Sequence, residues 1–179
     1  LFASLQTASR QVKLKNHHRI IMSDTVGFIN QLPHHLVQAF RSTLEEVKEA
    51  DLLVHVIDSS SPYCDLQIET TLNVLEALGV KDTPMLFVYN KVDQDRYAFL
   101  QPKEPAVFIS VKEKINLDLL EDKIIELLFK DYELIELYIP YDKGEVYSQV
   151  KQAYEMIKEE YLEDGIYLSF YIDRKQIHK

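Results

Sequence analysis

The chain has 179 residues, enough for one domain with a small appendage. With 46% apolar and 27% charged residues it can bury a core, and no apolar run is long enough to span a membrane. The net charge of −9 is uneven, +2 over residues 1–50 and −11 over residues 51–179, so the bulk field opposes broad nucleic-acid binding. Cys64 is the single cysteine. It excludes a disulfide framework and a cysteine-based metal site, and it points to a reducing, cytoplasmic location.

In chain order, Arg10–Lys15 alternates apolar and polar residues and Arg19–Thr25 is largely apolar. The intervening Asn16, His17 and His18 predict an antiparallel hairpin. The stretch Arg10–Arg19 is basic, and reads as a solvated hairpin or, alternatively, as a small RNA or phosphate contact. The adjacent pairs His17–His18 and His34–His35 point their side chains apart, so neither makes a metal site and both belong on the surface. After Pro33, the spacing of Leu36, Val37, Phe40, Leu44 and Val47 predicts a helix. Leu52–Ser60 is a continuous β-rich run, the pattern of a strand buried on both faces, with His55 a satisfied core or edge histidine. A helix follows through Ile68, Leu72, Leu75 and Leu78, with Gly79 as its stop. Met85–Asn90 and Ala106–Ser110 are the next buried strands. Asn116 is placed to cap a helix carrying Leu117, Leu120, Ile124 and Leu128 on one face.

Strand and helix alternate through this part, which predicts an α/β fold with a mostly parallel sheet covered by helices. Residues 1–131 form this domain. Residues 132–179 read as a β-α-β appendage. Tyr132–Pro140 is its first strand, and Asp142 and Glu145 have capping-box spacing. Val146, Val150, Ala153, Ile157 and Tyr161 mark one long amphipathic helix, Gly165 ends it, and Ile166–Ile172 is the last strand.

Ligands of such sheets bind at the C-terminal ends of the strands, where Asp24, Ser60, Asn90 and Ser110 fall. The sharpest motif is Asn90-Lys91-Val92-Asp93. Guanine presents two donors on one edge, N1–H and an amine, and the Asp93 carboxylate can accept both, an offer adenine cannot match. Such a site rejects the wrong base because its polar groups would be left unpaired. Asn90 can brace the loop and Lys91 can lay its stem along the ring. The plain alternative is a polar loop after a strand. Asp24-Thr25-Val26-Gly27 is weaker alone. In a nucleotide site Asp24 would hold Mg²⁺ through water and the Gly27 N–H would meet a terminal phosphate. Ser110, Val111 and Lys112 would back the base, mostly through backbone N–H groups.

With these residues in place the chain resembles the HflX family of translation-associated GTPases. The resemblance runs over nearly all 179 residues and rests most firmly on Ser23–Ser60. It implies a Ras-like G domain, a GTP or GDP ligand with Mg²⁺, slow GTP hydrolysis, and association with the ribosome, chiefly the large subunit. Phe2, Ala3, Ser4, Leu5 and Gln6 are similar to the family's first switch, with Ser4 where a Thr contacts Mg²⁺ and the terminal phosphate. Gln6 replaces the usual Asp, and Val111 the usual Ala; these departures bear on affinity, not identity. Phe28 stands where Ras-type enzymes carry a water-orienting Gln, so slow turnover with stimulation by a partner is implied.

No G-x-x-x-x-G-K-[ST] phosphate loop occurs in the chain: its glycines are Gly27, Gly79, Gly144 and Gly165, and no Lys precedes a Ser or Thr. The expectation is a fragment, with the family's N-terminal domain, the phosphate loop and the first strand lying upstream of Leu1. That strand would lie between the one ending at Asp24 and Leu52–Ser60, leaving both edges unpaired, and this chain alone would bind GTP poorly. The rival reading is a non-catalytic module that docks to ribosome or protein and retains only the base-binding loops.

Overall fold

The computed structural model describes residues 8–25, 47–94 and 101–174. The chain divides into two units, Leu1–Leu128 and Phe129–Lys179. Among the described residues no helix is long and apolar enough to cross a membrane.

In the first unit β1 (Ala8–Lys13) and β2 (Arg19–Asp24) form the expected antiparallel hairpin, in register from Ala8↔Asp24 to Lys13↔Arg19. A single 3₁₀ turn, Lys15–His17, joins them, with Asn16 and His17 in the left-handed region at φ 55° and 63°. The expected surface position of His18 is corrected: it is only 7% exposed, and burial lowers its pKa. A tight turn folds its ring inward, which residue adjacency alone does not reveal. His34 and His35, and the helix expected after Pro33 up to residue 46, lie outside the described residues.

A parallel sheet follows, in the order β3 (Leu53–Asp58), β4 (Met85–Asn90), β5 (Ala106–Phe108). Its crossover from β3 to β4 is α1 (Cys64–Ala77). Cys64 and Ile68 of α1 pack with Ile57, Phe87 and Tyr89, while Leu75 meets Val47. Gly79 ends the segment as expected. Its φ of 82° suits glycine, and the Val80 N–H reaches back to the Leu75 carbonyl at 3.0 Å, satisfying a terminal helix acceptor. The four apolar residues Leu86–Tyr89 are all buried, so β4 is covered on both faces.

β3 departs from the reading of a strand buried on both faces. Val56 is 62% exposed and Val54 is also exposed, while Ile57 is in the core. Val54 and Val56 share one face of the strand, and Ile57 lies on the other, where α1 packs, so described residues cover β3 on one face only. β3 pairs with β4 alone, and β2 with β1 alone, so both are edges among the described residues. α2 (Leu117–Phe129) follows β5 and buries Ile124. The hairpin tip docks on it. The Lys15 ammonium lies 2.9 Å from Asp122, and its backbone N–H donates to Glu121. One cation of the basic stretch is thus engaged within its own unit.

The second unit is an antiparallel sheet in the order β6 (Tyr132–Pro140), β8 (Gly165–Asp173), β7 (Met156–Tyr161). α3 (Gly144–Ala153) packs Tyr147 and Val150 against Ile139, Ile166, Leu168 and Phe170. The order is β-α-β-β, one strand more than the β-α-β expected, and the helix is shorter than its periodicity suggested. It stops at Ala153, and Ile157 and Tyr161 lie on β7. Tyr154 is extended at φ −132°, and its ring stacks on Phe170 with centroids 4.7 Å apart. Cross-strand pairing to β8 outweighs helical spacing here. The expected capping box does not form. Asp142 sits in a 3₁₀ turn, and Lys143 at the N-cap makes no side-chain cap. Gly165 opens β8 opposite Pro140 instead of ending a helix.

Candidate functional site

Three strand ends build the site. β4 ends at Asn90, and parallel pairing puts Asp58, the last residue of β3, in register with it. On the other side the ladder runs on past β5, the Ile109 N–H donating to the Tyr89 carbonyl at 2.8 Å. The segments 58–60, 90–93 and 109–112 therefore emerge side by side at the C-terminal edge of the parallel sheet, the edge where such sheets hold ligands.

Asn90 is the hub. Its side-chain oxygen accepts the Lys91 N–H at 2.8 Å and the Val111 N–H at 3.1 Å. One amide thus ties the Asn90–Asp93 loop to the Ser110–Lys112 loop. The Val92 N–H adds a bond to the Ile109 carbonyl at 3.1 Å, and the Gln94 N–H closes the turn on the Lys91 carbonyl at 3.0 Å. Lys91 takes a left-handed backbone at φ 71°, costly for a residue with a Cβ and held by these bonds.

The carboxylate of Asp93 stands exposed to solvent. The Ser110 hydroxyl, and then the ammonium groups of Lys112 and Lys91, hold its pKa below the usual carboxylate range. Ser110 itself is fully buried, and its oxygen also accepts the Glu113 N–H at 3.1 Å. A reciprocal pair of backbone bonds between Ser110 and Ile115 closes the loop, with Lys114 and Asn116 left-handed at φ 57° and 55°. Asn116 stands at the start of α2, where its amide donates to the Phe108 carbonyl at 2.8 Å and ties the helix to the end of β5.

Of the expected site residues, Asn90, Lys91, Val92, Asp93, Ser110, Val111 and Lys112 are thus brought together. Asp24 is placed on a different ladder, as the last residue of β2 paired with Ala8 of β1, and Thr25 follows it outside the strand. Phe2, Ala3, Ser4, Leu5, Gln6, Val26, Gly27 and Phe28 lie outside the described residues. No cluster of three or more His, Cys, Asp or Glu able to hold a metal occurs among the described residues.

Sequence reasoning missed two residues at this edge. The Ser59 hydroxyl and N–H both donate to the Asn90 carbonyl, at 2.6 and 3.0 Å. The Asp58 carboxylate meets the Lys91 ammonium at 2.6 Å and accepts the Ser60 hydroxyl at 2.6 Å and the Ser60 N–H at 3.0 Å. The Lys91 contact, followed by the Ser60 bonds, lowers the pKa of Asp58 against the opposing effect of burial. The available signal was an acid and a hydroxyl ending the strand that neighbours the Asn-Lys-x-Asp strand.

An acid set to accept paired donors, beside a loop braced through an asparagine, is what a guanine site needs. The sequence model of the family described as 50S ribosome-binding GTPase matches residues 1–91. The chain belongs to the HflX family of GTPases. It is 44% identical over 166 residues to the GTPase HflX of Caldanaerobacter subterraneus subsp. tengcongensis, covering 93% of this chain and 39% of that protein. It is 37% identical over 175 residues to the GTPase HflX of Lacrimispora saccharolytica, covering 96% and 41%. This HflX-type chain thus spans about two-fifths of the length of these relatives. Among solved structures it is similar to a GTP-binding protein from the archaeon Sulfolobus solfataricus in complex with GDP, at 29% identity and a TM-score of 0.58, covering 69% of this chain and 44% of that one. The parallel sheet, with α1 crossing from β3 to β4, fits the Ras-like α/β fold of these proteins.

Proposed function

We propose that this HflX-type chain supplies the guanine-recognising half of a cytoplasmic, ribosome-associated GTP hydrolase. The observation that carries the reading is the Asn90 bridge, which seats an exposed, ionised Asp93 beside the buried Ser110. In this reading Asp93 accepts N1–H and the amine of guanine, Lys91 lies along the ring, and the N–H groups of residues 110–112 face the base carbonyl. A carboxylate kept below its ordinary pKa remains an acceptor throughout the physiological pH range.

Asp24 would hold Mg²⁺ through water, with the Ser4 hydroxyl as a second oxygen. Mg²⁺ takes few protein ligands and fills its shell with water and phosphate, so a lone carboxylate fits it and the lack of a three-residue cluster among the described residues does not count against it. Phe28 cannot orient an attacking water, and slow turnover stimulated by a large-subunit partner follows from that. Without a phosphate loop in its sequence, this chain alone would bind GTP weakly.

Calorimetry with GDP, GTP and xanthosine diphosphate tests the reading, on this chain and on the longest gene product that carries it. Asp93→Asn should weaken GDP binding by about 10- to 100-fold, the loss expected for a hydrogen bond to a charged group. It should also favour xanthosine diphosphate, whose ring carries an oxygen in place of the amine. A longer product that ignores GDP, or an Asp93→Asn variant that binds it normally, overturns the proposal.

A further inference from the structure

We propose that Asp58 is a positioning residue for base recognition, holding Lys91 and through it the left-handed turn that presents Asp93; the inference rests on the guanine reading above. Asp58 uses both carboxylate oxygens. One takes the Ser60 N–H and hydroxyl, which fixes the carboxylate to its own strand end. The other takes the Lys91 ammonium at 2.6 Å, across the β3–β4 register that places Asp58 opposite Asn90. Ser59 stitches the same two strand ends through the Asn90 carbonyl.

Lys91 is therefore gripped at both ends. Its backbone N–H is held by the Asn90 side chain at 2.8 Å, and its side-chain tip by Asp58. Between these anchors lies the aliphatic stem that would flank the purine. A free lysine carries much rotamer entropy. A stem fixed before the nucleotide arrives loses less of that on binding. The left-handed backbone at φ 71° is itself unfavourable for a lysine and persists only where several contacts over-determine it. Both partners of the pair are partly solvent-exposed, their side chains 47% and 38% accessible, so its direct contribution to fold stability is small. Its consequence is orientation, and a change there should alter nucleotide binding with little change in melting temperature.

The test is a double-mutant cycle of Asp58→Asn and Lys91→Met, with Ser60→Ala as a third variant, in this chain and in the longest gene product that carries it. Lys91→Met keeps the apolar stem and removes the ammonium. Asp58→Asn should weaken GDP binding roughly three- to tenfold in the wild-type background. In the Lys91→Met background it should change nothing, because its partner is already gone. Ser60→Ala should act in the same direction and more weakly. The Asp58→Asn effect should shrink as salt is raised. A second readout needs no nucleotide. Hydrogen exchange at the Lys91 and Val92 amides should quicken in Asp58→Asn while the Leu86–Tyr89 amides stay protected. Equal effects of Asp58→Asn in both backgrounds, or unchanged exchange at Lys91 and Val92, overturn the inference even if Asp93→Asn behaves as a guanine-binding residue should. Should GDP binding itself be absent, the exchange measurement still decides. If Asp58→Asn does not fold, Ser60→Ala takes its place in the cycle, with the same outcomes deciding.

Discussion

His55 faces the ring of Phe87 across the β3–β4 pairing, with centroids 5.8 Å apart, and its buried Nδ1 has no hydrogen-bond partner among the described residues. The expectation of a satisfied histidine is corrected. Alternation along β3 told which way the ring points but could not supply a partner for it. Burial lowers the His55 pKa below its ordinary 6.5. The sign of the consequence follows directly. In the unfolded chain the ring protonates near 6.5, before the folded ring does, so stability is present above that pH and declines as pH falls through it towards the folded value. His18, also buried, acts in the same direction. Urea midpoints should therefore drop between about pH 7.5 and 5.5. His55→Leu should flatten part of that slope and raise stability by about 1 kcal/mol, since it removes an unpaired polar atom from an apolar site. A steeper slope in the variant would contradict this account.

Gly165 shows the same limit in another form. Four glycines are visible in the sequence, but which one is obligatory is a matter of neighbours. A Cβ on Gly165 would lie 2.5 Å from the Ile139 carbonyl oxygen and 2.9 Å from the Tyr138 ring, whereas one on Gly144 would meet nothing within 4 Å. Gly165→Ala should cost about 1–3 kcal/mol through forced repacking of β6 against β8.

At the scale of elements, the parallel core was readable because its pattern is dictated by burial. The run Leu86–Tyr89 is apolar and buried on both faces of β4. β3 is similarly apolar and yet exposes Val54 and Val56 on one face while Ile57 on the other packs under α1, because packing from distant parts of the chain, not the strand's own sequence, decides which face is covered. The 144–161 segment gives the opposite lesson. Its apolar residues fit one long helix, but the helix ends where Tyr154 turns extended and stacks on Phe170. Beyond that point Glu159 on β7 accepts from Tyr147 at 2.6 Å, Tyr161 at 2.8 Å and Lys151 at 2.9 Å, bonds that bring its pKa down to about 2 and link α3 to β7. These contacts join residues that a continuous helix would hold apart. Tyr154→Ala removes the anchor of the turn. A loss of about 2 kcal/mol is expected by chemical denaturation, from lost aromatic packing and burial. An unchanged midpoint would show that strand pairing alone ends α3.

Considered whole, the chain carries a separate apolar core in each unit: Ile57, Phe87 and Tyr89 with α1 in the first, and Ile139, Ile166, Leu168 and Phe170 in the second. Cores without shared residues open separately. Gly165→Ala should therefore accelerate amide exchange along β8 and leave β4 protected, a pattern readable by mass spectrometry on the intact chain. Equal acceleration in both units would mean that they unfold as one.

From sequence alone came the α/β class, the hairpin, the three parallel strands and the two loops bearing Asn90–Asp93 and Ser110–Lys112. Periodicity, turn residues and hydrogen-bonding chemistry are local properties, written into short stretches of chain. The tertiary structure alone decided which face of β3 is covered, where α3 stops, that the His55 Nδ1 has no partner among the described residues, and that Asp58 reaches Lys91. Those outcomes depend on which residues from distant parts of the chain become neighbours, and no single stretch contains both members of such a pair.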